Sequence, residues 1–314
     1  MKGYILRRLL LAVPTLLGLS LLVFGLAVIA PGDPAEELAR RRSGSGEVIP
    51  AEVERAREEL GLDRPLAEQY LSWLGGAVRG DLGTSFLRQK PVGREILSRL
   101  RATAELAVAA LLLSALLAVP FGVFAAAFHR RRLDDGLRLL ALVGASVPSF
   151  FLAYVLIALF ATRMGLFPVA GRQGLTSLVL PAVALSLGPI AMTSRLLRSS
   201  LLEVLGEDYI RAARSRGLSH LGVIVRHGLR NAAIPAITVL GTVFGYLLSQ
   251  AVIVEFIFAW PGLGRLTLEA ITQRDYPLLQ GVIFFAGVVG VFINLAVDVT
   301  YRVIDPRVRL QAEA

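Results

Sequence analysis

Few residues in this sequence could carry out chemistry, and none of their spacings matches a catalytic or metal-binding motif. The chain has no cysteine, which excludes disulfides, thiolate metal sites and a cysteine nucleophile. Its histidines are His129, His220 and His227. The last two stand seven residues apart and could share a helical face, but no third metal ligand accompanies them. No His-Glu-x-x-His or Gly-x-Ser-x-Gly motif is present. We therefore predict a non-catalytic protein without a metal site.

The usual means of powering active transport are also missing. A phosphate-binding loop needs Gly-rich backbone followed by Lys, and the lysines, Lys2 and Lys90, stand in no such context. The apolar runs described below hold no Asp, Glu or His, where proton or ion coupling would place one. Glu105, Glu255 and Asp298 lie at the edges of these runs, where we expect them to be solvated. Glu255 and Asp298 are alternative candidates for hydrogen bonds between helices.

One polar segment, after the fourth apolar run, has a pattern that is harder to explain as a simple connection. Tyr209, Ala212, Ala213 and Arg216 recur at helical spacing. This spacing predicts a short helix with both alanines on one small, uncharged face, and Gly217 is expected to end it in the left-handed conformation. Such a face permits close approach of another surface. The alternative is a helix that lies on anionic lipid.

The predicted contact residues of this segment extend beyond the short helix. Arg211 and Arg214 would flank the small face and suit an acidic partner. A second amphipathic piece with Leu221, Ile224 and Leu229 on its apolar side follows. The full set of candidate residues is Asp208, Tyr209, Arg211, Ala212, Ala213, Arg214, Gly217, His227, Arg230, Asn231 and Pro235.

The composition indicates that these residues belong to a membrane protein. The 314 residues are 55% hydrophobic and their mean hydropathy is +0.64, above the values of ordinary soluble domains. The net charge of +9 comes from arginines beside apolar runs, so we expect no nucleic-acid partner. A helix needs roughly 20 apolar residues to cross a bilayer. Six uncharged runs meet this requirement, at residues 9–30, 106–128, 139–162, 175–194, 232–254 and 276–297.

Proline and arginine positions refine this prediction. Pro120, Pro148 and Pro189 lie inside three of the runs, where we expect kinks within continuous helices. The first run is too long for a signal peptide and lacks a small-residue cleavage site, so it should be a retained helix. Arginines and lysines cluster before the first run and after the second, fourth and sixth, which predicts that both termini are cytoplasmic. The residues used here are Lys2, Arg7, Arg8, Arg130, Arg131, Arg132, Arg195, Arg198, Arg211, Arg214, Arg216, Arg226, Arg230, Arg302, Arg307 and Arg309.

The predicted topology leaves residues 31–101 on the outer side. Acidic and basic residues are balanced there, so we expect a solvated segment rather than a lipid-binding arm. Pro50 should begin a charged helix that ends at Gly61, and Pro65 should begin a second one with Leu66, Tyr70 and Trp73 at helical spacing. Residues 40–46 between the helices are predicted to form a flexible loop.

Several of these stretches resemble a known family. Ala212-Ala213 followed by Gly217 is similar to the cytoplasmic Glu-Ala-Ala-x-x-x-Gly loop of ABC importer permeases, with Arg211 at the Glu position and the proline delayed to Pro235. Five further stretches are similar to the first permease subunit of the oligopeptide/dipeptide/nickel importers (DppB/OppB type). They are Tyr4-Ile5-Leu6-Arg7-Arg8, Pro31-Gly32-Asp33-Pro34, Leu60-Gly61-Leu62-Asp63-Arg64-Pro65, Gly80-Asp81-Leu82-Gly83 and Phe258-Ala259-Trp260-Pro261-Gly262-Leu263-Gly264.

The resemblance implies a fold, a set of partners and a function. The fold would be an all-α polytopic membrane protein of about six transmembrane helices, of the ABC type I importer class. The partners would be a second homologous permease, two ATPase subunits that dock on the segment around Ala212, and an extracytoplasmic substrate-binding protein. ATP and Mg²⁺ would bind the ATPases, and this chain would bind no cofactor.

The same resemblance implies a domain organisation and a class of substrate. An N-terminal region at 1–100 would precede the transport module at 101–302 and a cytoplasmic tail at 303–314. Peptides are the expected substrate, with nickel or another small solute as alternatives, and the substrate-binding residues cannot be named. From different classes, a passive channel would need a selectivity-filter motif, which we do not find, and a membrane scaffold would not need so structured a loop.

Overall fold

The computed structural model describes residues 2–30, 32–43 and 49–304, and that part of the chain is helical with short connections. An isolated β-bridge between Thr84 and Pro91 is present in one connection. The α-helices are α1 (Lys2–Ile29), α2 (Pro34–Ser43), α3 (Pro50–Leu60), α4 (Leu66–Val78), α5 (Val92–Ala127), α6 (Arg132–Ser146), α7 (Ser149–Leu156), α8 (Leu175–Val204), α9 (Asp208–Ser215), α10 (His220–Val223), α11 (Leu229–Ile257), α12 (Leu263–Thr272) and α13 (Tyr276–Ile304). Two π-helical segments, Ile157–Arg163 and Ile224–Gly228, continue α7 and α10.

The long apolar helices match the predicted membrane spans. Within the described residues, five helical stretches are long and apolar enough to cross a bilayer, and the total is six if a bent pair counts as one span. The five are Arg7–Ile29, Val92–Ala127, Leu175–Val204, His220–Ile257 and Tyr276–Val297. These helices confirm the prediction of an all-α polytopic membrane protein with about six spans.

The prediction of a simple kink at Pro148 is wrong. The chain bends by 100° between Arg132–Ser146 and Ser149–Arg163. Val147 (φ −79°, ψ 119°) and Pro148 (φ −62°, ψ 138°) are both extended. The residue before a proline is sterically disfavoured in the helical region, and here α6 ends at this point. Pro120 and Pro189 do lie within continuous helices, as predicted.

The chain forms two compact units, the first of which comprises Met1–Ala102 and Gly262–Leu295. One of its apolar cores contains Ala35, Leu38, Ala56, Phe86 and Tyr276. The buried carboxylate of Asp275 fixes the connection before α5, because it accepts hydrogen bonds from Ser85 Oγ at 2.5 Å and from the backbone N–H of Phe86 at 3.1 Å.

The helices of the connecting segment confirm part of the prediction. Helix α3 begins at Pro50 and ends at Leu60, and Gly61 stops it with φ +65°. Helix α4 follows Pro65 as predicted. The predicted flexible loop at 40–46 is wrong for residues 40–43, which form the last turn of α2, where Arg40 pairs with Glu36 one turn earlier. Residues 44–46 lie outside the described part of the chain.

The second unit comprises Thr103–Pro261 and Ala296–Ala314, of which residues 305–314, including Arg307 and Arg309, lie outside the described structure. Helix α8 is its central helix and packs against α6, α7 and α11. Close approach needs small residues, since a Cβ atom at Gly122 would lie 3.0 Å from Leu197 Cβ. One apolar core of this unit contains Val123, Ala126, Leu197, Leu201, Ile224, Ala232 and Ala236.

The acidic residues at the ends of the apolar runs are not simply solvated. Glu255 is fully buried, and its Oε1 accepts a hydrogen bond from Thr103 Oγ1 at 2.6 Å. The expectation of solvation is therefore wrong for Glu255, and its alternative, a bond between helices, is correct. Glu105 is paired with Arg172, whose guanidinium lies 5.9 Å from the ring centre of Trp260. The side chain of Asp298 lies outside the described structure.

Candidate functional site

The segment between α8 and α11 forms the predicted short helix. Helix α9 runs from Asp208 to Ser215, and Gly217 follows in the left-handed conformation with φ +80°, as predicted. No atom lies within 4 Å of the position that a Cβ at Gly217 would occupy. The glycine is therefore required by the backbone conformation and not by lack of space.

The chain turns sharply after this glycine and begins a new helix. The Oγ of Ser219 accepts a hydrogen bond from the N–H of Gly222 at 3.2 Å, which caps α10. Through the π-helical segment Ile224–Gly228, α10 leads into α11 without a break. Residues His220–Ile257 therefore form one continuous helical stretch.

Helix α9 is attached to its own unit through an apolar face. Ile210 and Ala213 are buried with Val223, and Val204 and Leu205 of the preceding helix region pack against them. Ala212, by contrast, is exposed. The expectation that both alanines share one contact face is wrong, because α10 covers the side of α9 that carries Ala213 and leaves Ala212 open. Ala213 packs inside this chain, and Ala212 is left on the outer surface of α9.

The exposed surface around Ala212 is polar and charged. Asp208 and Arg211 form an ion pair on this surface, with side chains 90% and 71% exposed. Arg214 is exposed as well. Tyr209 is 43% exposed, and its hydroxyl accepts a hydrogen bond from Nδ2 of Asn231 at 2.8 Å. The structure therefore brings Tyr209 together with Asn231 and ties α9 to the first turn of α11.

The other candidate residues lie further along the same path. His227 is half-buried in the π-helical segment, while Arg230 and Pro235 are exposed on the first two turns of α11. Within the described residues, no hydrogen bond or ion pair joins these three side chains to α9. That these three residues belong to the same contact surface as α9 stays a prediction.

The histidine at the start of α10 also makes a contact. Nε2 of His220 lies 3.1 Å from the carbonyl oxygen of Ala127 and donates to it. Ala127 is the last residue of α5, whose final carbonyls lack partners within the helix. Helix α10 is therefore connected to the end of α5 as well as to α11.

A buried ion pair lies close in sequence to this end of α5. Asp134, at the start of α6, is 1% exposed and accepts two hydrogen bonds of 2.7 Å from Nε and Nη2 of Arg198 on α8. Nδ1 of His129 lies 3.2 Å from the same carboxylate. The backbone N–H of Arg130, which has φ +64°, donates to it at 3.2 Å. This cluster fixes the α5–α6 turn to α8.

This cluster was not predicted from the sequence, in which Arg198 and the arginines after His129 served only as markers of membrane orientation. The one local signal was the acidic residue Asp134 directly after a run of basic residues, and nothing in the sequence links it to a residue 64 positions away. As for metals, no group of three His, Cys, Asp or Glu that could hold an ion occurs among the described residues.

These features define a class of protein, a multi-pass membrane subunit with a structured polar segment attached to its transmembrane helices. Two family models together match most of the chain, the binding-protein-dependent transport system inner membrane component over residues 118–310 and the N-terminal membrane component of the same systems over residues 1–107. The chain belongs to this family and is a non-catalytic permease subunit of an ABC importer.

Named relatives agree with this assignment. The dipeptide transport system permease protein DppB of Escherichia coli (strain K12) is 38% identical, over 98% of this chain and 99% of that protein. A putative peptide transport system permease protein of Brucella abortus (strain 2308) is 43% identical over the same shares. The glutathione transport system permease protein GsiC of Escherichia coli O6:H1 is 38% identical, again over 98% and 99%.

Solved structures support the fold. Two crystal forms of the inward-facing MetNI methionine ABC transporter match with TM-scores of 0.57 and 0.58. Each match covers 67% of this chain and 96% of that chain, at 17% and 16% identity. At such low identity the match shows the fold, that of an ABC importer transmembrane subunit.

Proposed function

We propose that this chain forms half of the translocation path of a peptide importer and that α9 with the turn at Gly217 is its contact with an ATPase. The single observation that carries this proposal is the division of α9 into two surfaces. Ile210 and Ala213 are buried against the chain's own helices, while Ala212 and its charged neighbours are exposed. A helix that packs on its own chain with one side and binds a partner with the other can transmit a movement of the partner to the helices on which it packs.

The proposal includes an orientation in the membrane. Both termini lie in the cytoplasm, because the short arginine-rich connections then fall on the inner side. Helix α9 and the α5–α6 turn are then cytoplasmic, and residues 32–101 are extracytoplasmic. We also propose the division into an N-terminal region at 1–100, a transport module at 101–302 and a tail at 303–314.

The proposed partners are those of the family, and they would supply the ATP-binding site that this sequence lacks. A second, homologous permease completes the path, two ATPase subunits bind ATP and Mg²⁺ in the cytoplasm, and a substrate-binding protein delivers the solute outside. The chain itself binds no cofactor. Peptides are the proposed substrates, since the relatives are named for dipeptide, peptide and glutathione transport. Nickel or another small solute is the alternative within the same class.

Coupling of ATP binding to movement of this chain requires that the ATPase bind α9 differently in its two states. An ATPase can move this chain only if its ATP-bound and ATP-free states contact α9 with different free energies. The movement would pass to α8 through Val204 and Leu205, to α11 through Tyr209 and Asn231, and to α5 through His220. These contacts join α9 directly to α8 and α11, and α10, which packs on α9 through Val223, to α5. A shift of α9 would therefore act on three membrane-spanning helices.

Reconstitution tests the function directly. The chain, its second permease and both ATPases are placed in liposomes with the binding protein outside and ATP inside. We expect labelled dipeptide to accumulate above its outside concentration only with ATP. Uptake that stops at equal concentrations and is the same without ATP would show a passive channel instead. Accumulation of nickel but not of peptide would support the importer function and contradict the proposed peptide substrate.

A further inference from the structure

Helix α4 differs from its neighbours α2 and α3 in composition and exposure. Helices α2 and α3 are rich in charged residues, whereas residues 69–78 of α4 contain no charge. Leu71 and Val78 are 64% and 79% exposed. They stand seven residues apart and therefore share one side of the helix. This side is an apolar surface that the rest of the first unit leaves uncovered.

The opposite side of α4 packs against the membrane-spanning helix α1. The hydroxyls of Tyr70 and Ser20 lie 2.8 Å apart. The ring of Phe24 contacts Tyr70 edge-on at 5.5 Å between ring centres, and it lies 6.2 Å from the ring of Trp73. Ser20 is fully buried at this contact.

A second membrane-spanning helix of the same unit contacts the same side of α4. The ring of Trp73 meets Phe284 of α13 edge-on at 5.5 Å between centres. The ring of Trp73 on α4 thus contacts Phe24 of α1 and Phe284 of α13, so the three aromatic residues connect the three helices. Edge-on aromatic pairs of this kind are favourable beyond the apolar area that they bury.

The positions of these contacts along α1 and α13 set the depth of α4. The apolar span of α1 is Arg7–Ile29, 23 residues, or about 34 Å, which leaves little helix outside a hydrocarbon core about 30 Å thick. Ser20 lies nine residues before the end of α1, which is about 14 Å along the axis. Phe284 lies eight residues after the start of α13, about 12 Å. Both helices therefore place Tyr70 and Trp73 well below the ends of the spans.

We propose that α4 is embedded in the bilayer leaflet that the C-terminal end of α1 reaches, with Leu71 and Val78 in contact with lipid acyl chains. Its exposed apolar surface then continues the lipid-facing surface of α1, where Leu22 and Leu26 are 58% and 53% exposed. Removing the exposed apolar surface of Leu71 and Val78 from water favours this position.

The consequence is a membrane anchor within residues 31–101, a segment whose balanced charges predicted that it is solvated throughout. Helix α4 would hold the charged helices α2 and α3 close to the membrane surface. The polar surface of this segment that remains available to a soluble partner would then be that of α2 and α3, and not that of α4.

Site-specific fluorescence tests the placement. The chain has no cysteine, so Leu71→Cys or Val78→Cys gives a single attachment site for an environment-sensitive NBD probe. Each full-length variant is reconstituted in phosphatidylcholine vesicles. Quenching is measured with spin-labelled phosphatidylcholine from the lipid phase and with iodide from the aqueous phase. Leu22→Cys on α1 is the lipid-exposed control, and Glu58→Cys on the exposed side of α3 is the aqueous control.

The two quenchers separate the outcomes. We expect probes at Leu71 and Val78 to lose emission to spin-labelled lipid as the probe at Leu22 does, and to be shielded from iodide. Quenching by iodide to the extent seen at Glu58 would place α4 in water and overturn the proposal. Protection from both quenchers would show that a protein surface, such as a second copy of this chain, covers α4, and would overturn it equally.

Discussion

The carboxylate of Asp134 and the guanidinium of Arg198 form a bidentate pair with two hydrogen bonds of 2.7 Å. Both side chains are largely withdrawn from solvent, with 2% and 17% of their surface exposed. The pair joins the start of α6 to α8 beside the turn that ends α5. Because α9 is attached to the end of α8, the pair would lie on the proposed route of coupling from an ATPase to the membrane part.

Breaking this pair from one side should be costly. Arg198→Met leaves the buried carboxylate of Asp134 without its main partner, and removing one member of a buried pair typically costs about 3–5 kcal/mol. We expect a clear drop in the thermal denaturation midpoint of the purified chain in detergent. The matched control is Arg138→Met, because Arg138 pairs with Asp135 at 3.8 Å on an exposed surface, where pairs contribute about 0–1 kcal/mol. Equal effects of the two substitutions would contradict the role given to Arg198.

The turn at Gly217 should depend on backbone conformation alone. Gly217→Val places a β-branched residue at φ +80°, which costs roughly 1–2 kcal/mol for a residue with a Cβ and should distort the end of α9. We expect ATP-driven uptake to fall while the chain still inserts and binds its second permease. Gly217→Asn is the control, since asparagine tolerates this conformation. Normal uptake by the valine variant would show that the turn is not needed.

The two alanines of α9 should respond in opposite ways to enlargement. Ala213→Leu forces three carbon atoms into the packed cluster around Ile210 and Val223, which is expected to destabilise the chain by about 1–3 kcal/mol. Ala212→Leu changes only the exposed surface, so the denaturation midpoint should stay the same while co-purification with the ATPase subunits is lost. Retention of the ATPases by the Ala212 variant would argue against docking at this face.

Removal of the hydroxyl of Thr103 should weaken the second unit away from α9. Thr103→Val keeps the shape of the side chain but withdraws the hydrogen bond to the buried Glu255. An unmet hydrogen bond at a buried polar group costs about 1–3 kcal/mol, so the denaturation midpoint should fall. Thr103→Ser keeps the hydroxyl, so its denaturation midpoint should lie close to that of the unsubstituted chain. If valine and serine behaved alike, the hydrogen bond would not be what Thr103 contributes.

Much of the helical framework could be predicted from the sequence, because each signal is local. Lipid requires long uncharged runs, and helix ends such as Pro50 and Gly61 are determined by one or two residues. The break at Pro148 could not be read in this way, since the proline inside α8 at Pro189 leaves its helix continuous. Tertiary packing decides between the two outcomes.

Contacts between distant residues were the least predictable part of the structure. Thr103 and Glu255 are 152 positions apart, and Asp134 and Arg198 are 64 apart, so only the fold brings them together. The helical period placed Ala212 and Ala213 close together on α9, but it could not show that one is covered by Val223 and the other is open. That distinction depends on where α10 folds back against α9.

Photo-crosslinking from Ala212 tests the central claim most directly. Ala212→Cys, in a chain without other cysteines, is labelled with a benzophenone maleimide, and the assembled importer is irradiated in its membrane with and without ATP. The account predicts a crosslink to an ATPase subunit whose yield changes with ATP, and none from the same probe at Leu22 of α1. A crosslink to lipid alone at Ala212, or a yield indifferent to ATP, would contradict the claim that α9 couples this permease to its ATPase.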